Sequence, residues 1–405
     1  MRHVIIGAGA AGISAARTIR EMRAEDEIII ISSDSDVYSR CMLHKYIGGE
    51  RDLRGISFVE DNFFDKNKII WLSGRKVTAI NSHSKTIVAG EDNIEFDTLL
   101  IASGADSVIP PIGDLKNASN VFGLRHLDDA QKIKQLGSNA SKIAVIGAGL
   151  VGLDAVYGLL DSKKEITVIE MGSEVLEMNV DKKIGETYRK YFEVEGCKFL
   201  LSKKVVDTSI DETGKIKELI LESGEHIQCD LVIVAVGVRP AMDFIENSGI
   251  EVDRAIKVNE RLETSQKNIF AAGDVNGLSA IWPNAVAQGK VAAKNMCGEN
   301  CVYSDVFAQK NTINFFGLPT LSLGRINPLE DDTVLIRDDK KGYRKIIIAE
   351  GRLVGVILSK NISNSGFWQY LIKNEIDVSG KDLWKLSFAD FISTDENGEY
   401  KWTVS

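Results

Sequence analysis

Two sets of glycines are spaced to hold phosphates. Gly7, Gly9 and Gly12 follow the apolar run Val4-Ile5-Ile6 in G-x-G-x-x-G register, with Ala10 and Ala11 between them. Gly147, Gly149 and Gly152 repeat the pattern after Lys142-Ile143-Ala144-Val145-Ile146, with Leu150 and Val151 between them. In this spacing the first glycine allows a tight turn out of a strand. The second lets a pyrophosphate approach the backbone, and the third lets the next helix pack on the strand. The helix start offers the phosphates unpaired N–H groups and a partial positive charge. About twenty residues further on, each set meets an acid suited to a ribose diol. These are Asp34, after Ile28-Ile29-Ile30-Ile31, and Glu170, after Ile166-Thr167-Val168-Ile169. One such motif is weak evidence. Two complete copies of strand, glycine turn, helix, strand and acid predict two dinucleotide sites.

The elements that must carry these residues follow from periodicity. Ile13 to Ile19 reads as the first helix, and Lys76–Ile80 and Lys85–Val88 alternate like strands of a small antiparallel sheet. Phe96 to Ile101 is a buried strand ending in the small-residue turn Ala102-Ser103-Gly104, and Pro110-Pro111 marks a crossing between domains. The second unit closes with the strand Asp230 to Val236, then Gly237-Val238-Arg239-Pro240. The chain next returns to the first domain through Asn268 to Asp274 and the helix opened by Trp282-Pro283-Asn284-Ala285. From about Tyr303, short alternating strands such as Tyr343–Ile348 and Leu353–Leu358 imply a third, mixed α/β domain. The fold class is α/β, with two Rossmann-like domains and a C-terminal mixed α/β domain. The expected boundaries are 1–115 and 241–304 for the first, 116–240 for the second and 305–405 for the third.

Bulk properties exclude several classes. The chain has 405 residues, suited to two or three domains, with 44% hydrophobic and 26% charged residues. A net charge of −9 argues against nucleic acid. Cys41, Cys197, Cys229, Cys297 and Cys301 include no C-x-x-C, so neither a disulfide framework nor a zinc site is expected, and no metal. No signal region precedes the first strand, and no apolar run reaches membrane-spanning length. A reduced, cytoplasmic protein is the expectation.

The order of Gly7/Gly9/Gly12, Ala102-Ser103-Gly104, Gly147/Gly149/Gly152, Gly237-x-Arg239-Pro240 and Ala272-Gly273-Asp274 resembles the pyridine-nucleotide-dependent flavoproteins of the glutathione-reductase structural family. The likeness spans the whole chain. It implies FAD on the first motif, NADH on the second, and an NAD domain inserted into a split FAD domain. The disulfide-reductase branch carries paired cysteines near the flavin, which this chain lacks. Tyr38-Ser39-Arg40, Leu124-Arg125-His126-Leu127-Asp128-Asp129-Ala130 and Trp282-Pro283-Asn284-Ala285 look more like the rubredoxin and ferredoxin reductases and the flavin part of NADH-dependent nitrite reductase.

From that resemblance Arg40, Val77, Ala102, Ser103, Gly104, Arg125, Gly273, Asp274, Asn284 and Ala285 join the FAD site, and Gly237 joins the NAD site. Asp34 is the expected FAD ribose ligand, although Ser32 to Asp36 also reads as a polar loop. Glu170 would repel a 2′-phosphate at ~4 Å by ~4 kcal/mol at an effective dielectric of about 20. No arginine follows to offset it, so NADH is expected over NADPH. Lys45 matches the lysine beside the flavin N5 in the rubredoxin-reductase branch, and Asp154 stands where its glutamate partner belongs; aspartate is one methylene shorter, so a looser or water-bridged pair is expected. The alternative is a surface lysine and a helix-face acid. Cys41 lies where peroxide- and oxygen-reducing relatives carry a redox cysteine, and Lys45 four residues on would lower its pKa on a helix. Those relatives place a histidine in the first glycine motif, where this chain has alanine. Trp282 is expected near the flavin edge or in the core, and Phe315-Phe316 in the core or, as the alternative, against the dimethylbenzene end of the flavin.

The resulting expectation is an FAD enzyme passing electrons between NADH and a rubredoxin-type or ferredoxin-like iron protein or subunit. A homodimer and a place in a larger complex both suit the resemblance. Two alternatives stand: a small-molecule reductase (NADH oxidase, peroxidase or coenzyme A disulfide reductase) using Cys41, and a non-catalytic FAD-binding subunit.

Overall fold

The computed structural model describes residues 1–160, 164–305, 310–394, 396–397 and 399–402. Two compact units form: residues 1–173 with 193–308, and residues 174–192 with 309–405.

Among the described residues the first unit holds two five-stranded parallel sheets. The first runs Ile269–Ala271, Thr98–Ile101, Arg2–Ile6, Glu27–Ile31, Ile69–Leu72 in spatial order. Both of its faces are covered. Ile5, Ile28, Ile30 and Leu100 pack on one side with the helices Ala10–Met22 and Trp282–Met296. Val4, Ile6, Ile29, Ile31 and Leu99 pack on the other. Two-sided burial explains why these strands read as unbroken apolar runs rather than as alternation. Each buried isoleucine contributes about 1.5–3 kcal/mol before chain entropy is counted.

The second sheet repeats the plan as Lys198–Leu200, Glu165–Ile169, Lys142–Ile146, Leu231–Val234, Val121–Phe122. In each sheet the glycine-bearing strand sits centrally, with the next strand of its β-α-β unit on one side. The strand on its other side arrives later in the chain. This is a topological switch point, where the carboxyl ends of the strands open a crevice. Small antiparallel sheets accompany both: Val77–Asn81, Thr86–Ala89 and Asp92–Glu95, and Val205–Ile210, Ile216–Leu221 and His226–Gln228. Ala105–Ser107 pairs with Val238–Pro240 and ties the two halves of the unit together.

Backbone contact fixes two helix pairs. A Cβ on Gly289 would lie 2.2 Å from the Ala11 carbonyl oxygen, so the helices Ala10–Met22 and Trp282–Met296 touch through glycine. A Cβ on Gly158 would lie 2.6 Å from the His44 carbonyl oxygen. The helix Leu150–Leu159 therefore lies directly on the short helix Leu43–Ile47.

The second unit contains a five-stranded antiparallel sheet in the order Lys310–Phe315, Leu318–Gly324, Arg352–Ser359, Gly342–Ala349, Thr333–Asp339. Residues 174–192, which the sequence assigns to the nucleotide domain, belong to this unit and carry most of the helix Lys182–Val194. Tyr188 and Phe192 of that helix pack on Phe315, and Tyr188 donates a 2.7 Å hydrogen bond to the Leu318 carbonyl. Phe315 is thus a core residue. No described helix is long and apolar enough to cross a membrane. Among the described residues no cluster of three or more His, Cys, Asp or Glu side chains is placed to hold a metal.

Candidate active site

The glycine turns have the geometry their spacing requires. Gly7 adopts φ +106°, and a Cβ there would strike the Ala102 carbonyl. Gly9 faces empty space, with nothing within 4 Å of where a methyl would sit, while a Cβ on Gly12 would lie 1.9 Å from the Gly7 carbonyl oxygen. The second turn repeats all three: Gly147 at φ +107°, Gly149 open, and Gly152 with a Cβ 2.0 Å from the Gly147 carbonyl oxygen. Each turn therefore borders open space at its second glycine, which at Gly9 is part of a cleft. Open backbone at the start of a helix fits the phosphates of a dinucleotide at both turns.

Above the first turn lies a cleft of about 410 Å³. Gly7, Gly9, Ala10 and Ala11 line its floor; Ala102, Ser103 and Gly104 line one wall, and Gly273, Asp274 and Ala285 another. Val77, Asp34, Arg40, Arg125 and Cys41 also face it. Of the residues expected here, Gly12, Lys45 and Asn284 do not line it. Gly12 packs behind the turn. Asn284 is buried and donates to the Asp305 carbonyl at 3.2 Å. Trp282 lines the cleft with its ring edge-on to Phe58 at 4.8 Å.

Charged side chains hold one another in place around the cleft. Arg125 pairs with Asp274 and donates from Nε to the Ala105 carbonyl at 2.9 Å. Arg40 donates to the Arg125 carbonyl at 2.7 Å and lies 3.5 Å from the Asp34 carboxylate. Burial alone would push Asp34 up, but His126 and Arg40 outweigh it and hold the carboxyl below its ordinary value. Nothing in the spacing singles out Tyr38, Asp106 or His126, yet all three line the cleft. His126 stands between Asp106, 2.9 Å from Nε2, and Asp34, 3.8 Å from Nδ1. Asp106 and Asp34 raise its pKa to about 9 against the effect of burial. The one available signal is its place in Leu124 to Ala130, directly after Arg125.

The second acid is held by backbone. Glu170 accepts from the Ala148 N–H and the Gly172 N–H, each at 2.7 Å, so its carboxylate is fixed at the mouth of the second glycine turn. Leu150 and Val151 open the helix beyond it, and Val151 remains exposed. Gly237, at φ +129°, adjoins the strand that pairs the two halves.

Two expectations change. Lys45 and Asp154 make no direct ion pair, although the lysine still acts on the carboxylate by charge: Lys45 reaches the exposed Glu50 at 2.6 Å and lies 5.5 Å from the Tyr157 ring centroid. Asp154 is one methylene shorter than glutamate, and the close packing of Gly158 on His44 brings the His44 ring to it at 3.4 Å. Burial raises the Asp154 carboxyl to about 7, partly offset by Lys45, and lowers His44 to about 4. The expected lowering of the Cys41 pKa is reversed. Its side chain is open to the cleft, but the surrounding protein and then the Asp154 charge push the thiol up.

Comparison with known proteins agrees with this geometry. Residues 1–289 match the pyridine nucleotide-disulphide oxidoreductase family, and residues 310–376 match the rubredoxin NAD+ reductase C-terminal domain. The chain is 30% identical over 393 residues to the NADH-dependent phenylglyoxylate dehydrogenase subunit epsilon of Aromatoleum evansii, covering 93% of each chain. It is 28% identical over 369 residues to the NADH-rubredoxin oxidoreductase of Clostridium acetobutylicum, covering 89% of this chain and 91% of that one. A solved NAD-dependent persulfide reductase from A. fulgidus superposes with a TM-score of 0.83 at 26% identity, covering 93% of this chain and 77% of that one. The chain spans about half the length of some other curated relatives it matches, at 47% and 48%. With paired glycine turns, the cleft above the first and a family match over most of its length, the chain belongs to the pyridine nucleotide-disulphide oxidoreductase family, as an FAD-dependent oxidoreductase using NAD(H).

Proposed function

We propose that this chain carries electrons between NADH and a small one-electron iron protein of rubredoxin or ferredoxin type. The observation that carries this reading is the isolation of Cys41. It is a free thiol in the cleft, Cys197, Cys229 and Cys297 are buried, and none of the five cysteines forms a disulfide. A chain without a dithiol beside the cofactor must pass its electrons to something else. The likeness to an NADH-rubredoxin oxidoreductase and to the rubredoxin NAD+ reductase C-terminal domain supports the same acceptor class.

FAD held in this cleft would supply the hydride-accepting and single-electron-donating chemistry. The residues supply position and charge. In this reading the first turn, through Gly7, Gly9 and the helix start at Ala10 and Ala11, holds the FAD pyrophosphate, with Gly12 seating the helix. Asp34 takes the ribose diol, and the Arg125–Asp274 pair orients the far side of the cleft. The second turn, at Gly147, Gly149 and Gly152, holds the nicotinamide nucleotide, with Glu170 on its adenosine ribose. The pinned Glu170 carboxylate favours NADH over NADPH, since it cannot swing away from a 2′-phosphate. Lys45 stands outside the cleft, paired with exposed Glu50, and would serve the flavin edge only on leaving that contact, which costs little to break. Beside the lysine, Asp154, raised to about 7 by burial, gains or loses its proton near neutral pH while His44 stays neutral.

Cys41 favours a second reading. It is open to the cleft, which suits direct reduction of peroxide or a small disulfide. Its raised pKa works against this, because the thiolate is the reactive form. The test is anaerobic NADH reduction followed by a panel of acceptors, with native chain and Cys41→Ser. Fast reduction of rubredoxin or ferredoxin, unchanged in the variant, is the expected result. Fast turnover with peroxide or coenzyme A disulfide that Cys41→Ser abolishes would overturn it. A flavin that NADH does not bleach would point to a non-catalytic subunit.

A further inference from the structure

We infer that Gln288 is a positioning residue of the FAD cleft: from the buried face of the helix Trp282–Met296 it pins the turn that carries Asp274, and so sets where that carboxylate meets the cofactor. This rests on the cleft being the FAD site.

Asp274 is presented by a turn. It follows the strand Ile269–Ala271, and with Gly273 it lines the cleft. The turn enters at Gly273 with φ +83° and leaves at Gly277 with φ +69°, both in the left-handed region. Glycine takes such angles freely, so the two bends also leave this stretch free to move. Main-chain bonds hold it at Ala272, whose N–H donates to the Ile101 carbonyl at 3.0 Å, and at Asn276 and Gly277, whose N–H groups turn back to the Gly273 and Asp274 carbonyls. The Gly273 N–H is held by a side chain. Gln288 Oε1 accepts it at 2.8 Å and accepts from Asn276 Nδ2 at 2.9 Å. Asn276 Nδ2 also donates to the Ala271 carbonyl at 3.1 Å, and its Oδ1 accepts the Leu278 N–H at 3.1 Å. Backbone donors and acceptors at both ends of this run fix which way each amide faces. Arg125 grips the Asp274 carboxylate, and Gln288 holds the peptide directly before it.

Packing places this glutamine at a junction. A Cβ on Gly273 would lie 3.4 Å from the Ala11 Cβ and 3.8 Å from that of Ala285. The residue after Gln288 is Gly289, whose missing Cβ brings its helix onto the Ala11 carbonyl. The turn, the helix that starts at the first glycine motif and the helix Trp282–Met296 therefore meet at one place, where Gln288 is fully buried. Through Gln288 the wall that bears Asp274 is tied to the same helix that rests against Ala11 on the cleft floor. Stability alone does not call for glutamine here. The other end of its amide lies beside the buried Tyr303 hydroxyl, and among the described residues neither that hydroxyl nor Gln288 Nε2 completes a hydrogen bond. A buried amide bonded at one end only costs stability. Its gain is a turn already fixed before the ligand arrives, so that binding need not order it.

Gln288→Met keeps the bulk and removes the acceptor. In the flavin-free chain, hydrogen exchange over residues 270–278 should quicken by about tenfold or more, while the helix Ala10–Met22 exchanges as in the native chain. FAD affinity, from fluorescence titration, should fall roughly tenfold, the scale of one or two net hydrogen bonds. Asp274→Asn should weaken FAD by itself. Gln288→Met added to it should change affinity by less than about threefold, because the two act through one carboxylate. Gln288→Glu keeps an oxygen on both donors and should keep native exchange over residues 270–278. Native FAD affinity in Gln288→Met, unchanged exchange over that segment, a loss of about tenfold on top of Asp274→Asn, or fast exchange in Gln288→Glu would each overturn the proposal. Asp274→Asn binding FAD like the native chain would sink the reading of the cleft and the proposal with it, even with the exchange pattern as expected.

Discussion

Alanine at Gly9 and alanine at Gly12 should fail in opposite ways. At Gly9 the backbone is φ −81°, ψ −169°, a conformation any residue adopts, and a Cβ meets nothing within 4 Å. The chain gains about 0.4–1 kcal/mol from a less flexible unfolded state. It loses a similar amount, about 0.5–1 kcal/mol, because alanine is a poorer N-cap than glycine. The flavin-free protein should therefore unfold within about 0.5 kcal/mol of the native chain. The methyl, however, occupies the concavity a pyrophosphate must enter, at the expense of one or two charge-assisted hydrogen bonds. Their loss, about 3 kcal/mol, weakens FAD by roughly 150-fold. At Gly12 the methyl lies 1.9 Å from the Gly7 carbonyl oxygen, against ordinary contact from 3.4 Å, and the Ile5 side chain at 3.2 Å blocks the retreat. That overpacking should cost about 3 kcal/mol or more even without cofactor. Urea unfolding of the flavin-stripped chains and fluorescence titration with FAD separate the two. A Gly9→Ala chain that binds FAD normally, or that loses as much intrinsic stability as Gly12→Ala, would refute the reasoning.

Two further outcomes are expected. Glu170→Gln should leave NADH turnover within a few-fold but cut the NADH-to-NADPH ratio of kcat/KM by at least about tenfold, since a repulsion of ~4 kcal/mol disappears; an unchanged ratio would place 2′-phosphate rejection elsewhere. His44 and Asp154 should give opposing pH dependences. The folded Asp154, raised to about 7 from 3.8, binds the extra proton, so its contribution to stability falls as pH rises through that window. The folded His44, lowered to about 4 from 6.5, binds fewer protons, so its contribution grows between those values. Asp154→Asn should thus show a thermal midpoint that climbs from pH 4 to 6.5 more steeply than the native chain. His44→Asn should show one that falls. Parallel profiles in a differential scanning series would refute the assignment.

The parts of this molecule legible in its sequence are those where backbone geometry leaves no choice of residue. Gly7 and Gly147 need positive φ, and Gly12 and Gly152 need the absence of a Cβ, so both turns stand out by spacing alone. The isoleucine strands are legible because two-sided burial demands continuous apolar residues. What depends on side-chain reach is not legible. Lys45 has two acids near it, Glu50 and Asp154, and the packing of Gly158 on His44 sets the histidine against Asp154 while the lysine turns to Glu50. His126 joins Asp106 and Asp34 only after three remote segments converge, and a lone histidine at a helix start looks like a solvated cap. Residues 174–192 carry no change of composition to show that they join the C-terminal unit rather than the nucleotide fold before them.

The contact of Gly289 with Ala11 bears on synthesis at the ribosome. The amino-terminal helix waits for a partner made some 280 residues later, and its sheet waits for the edge strand Ile269–Ala271. The intervening nucleotide fold, whose sheet closes with Leu231–Val234, has all its strands first. The segment that starts the chain is therefore among the last to be sealed, and a nascent polypeptide stalled before Trp282 should expose its first helix to protease while the middle fold resists.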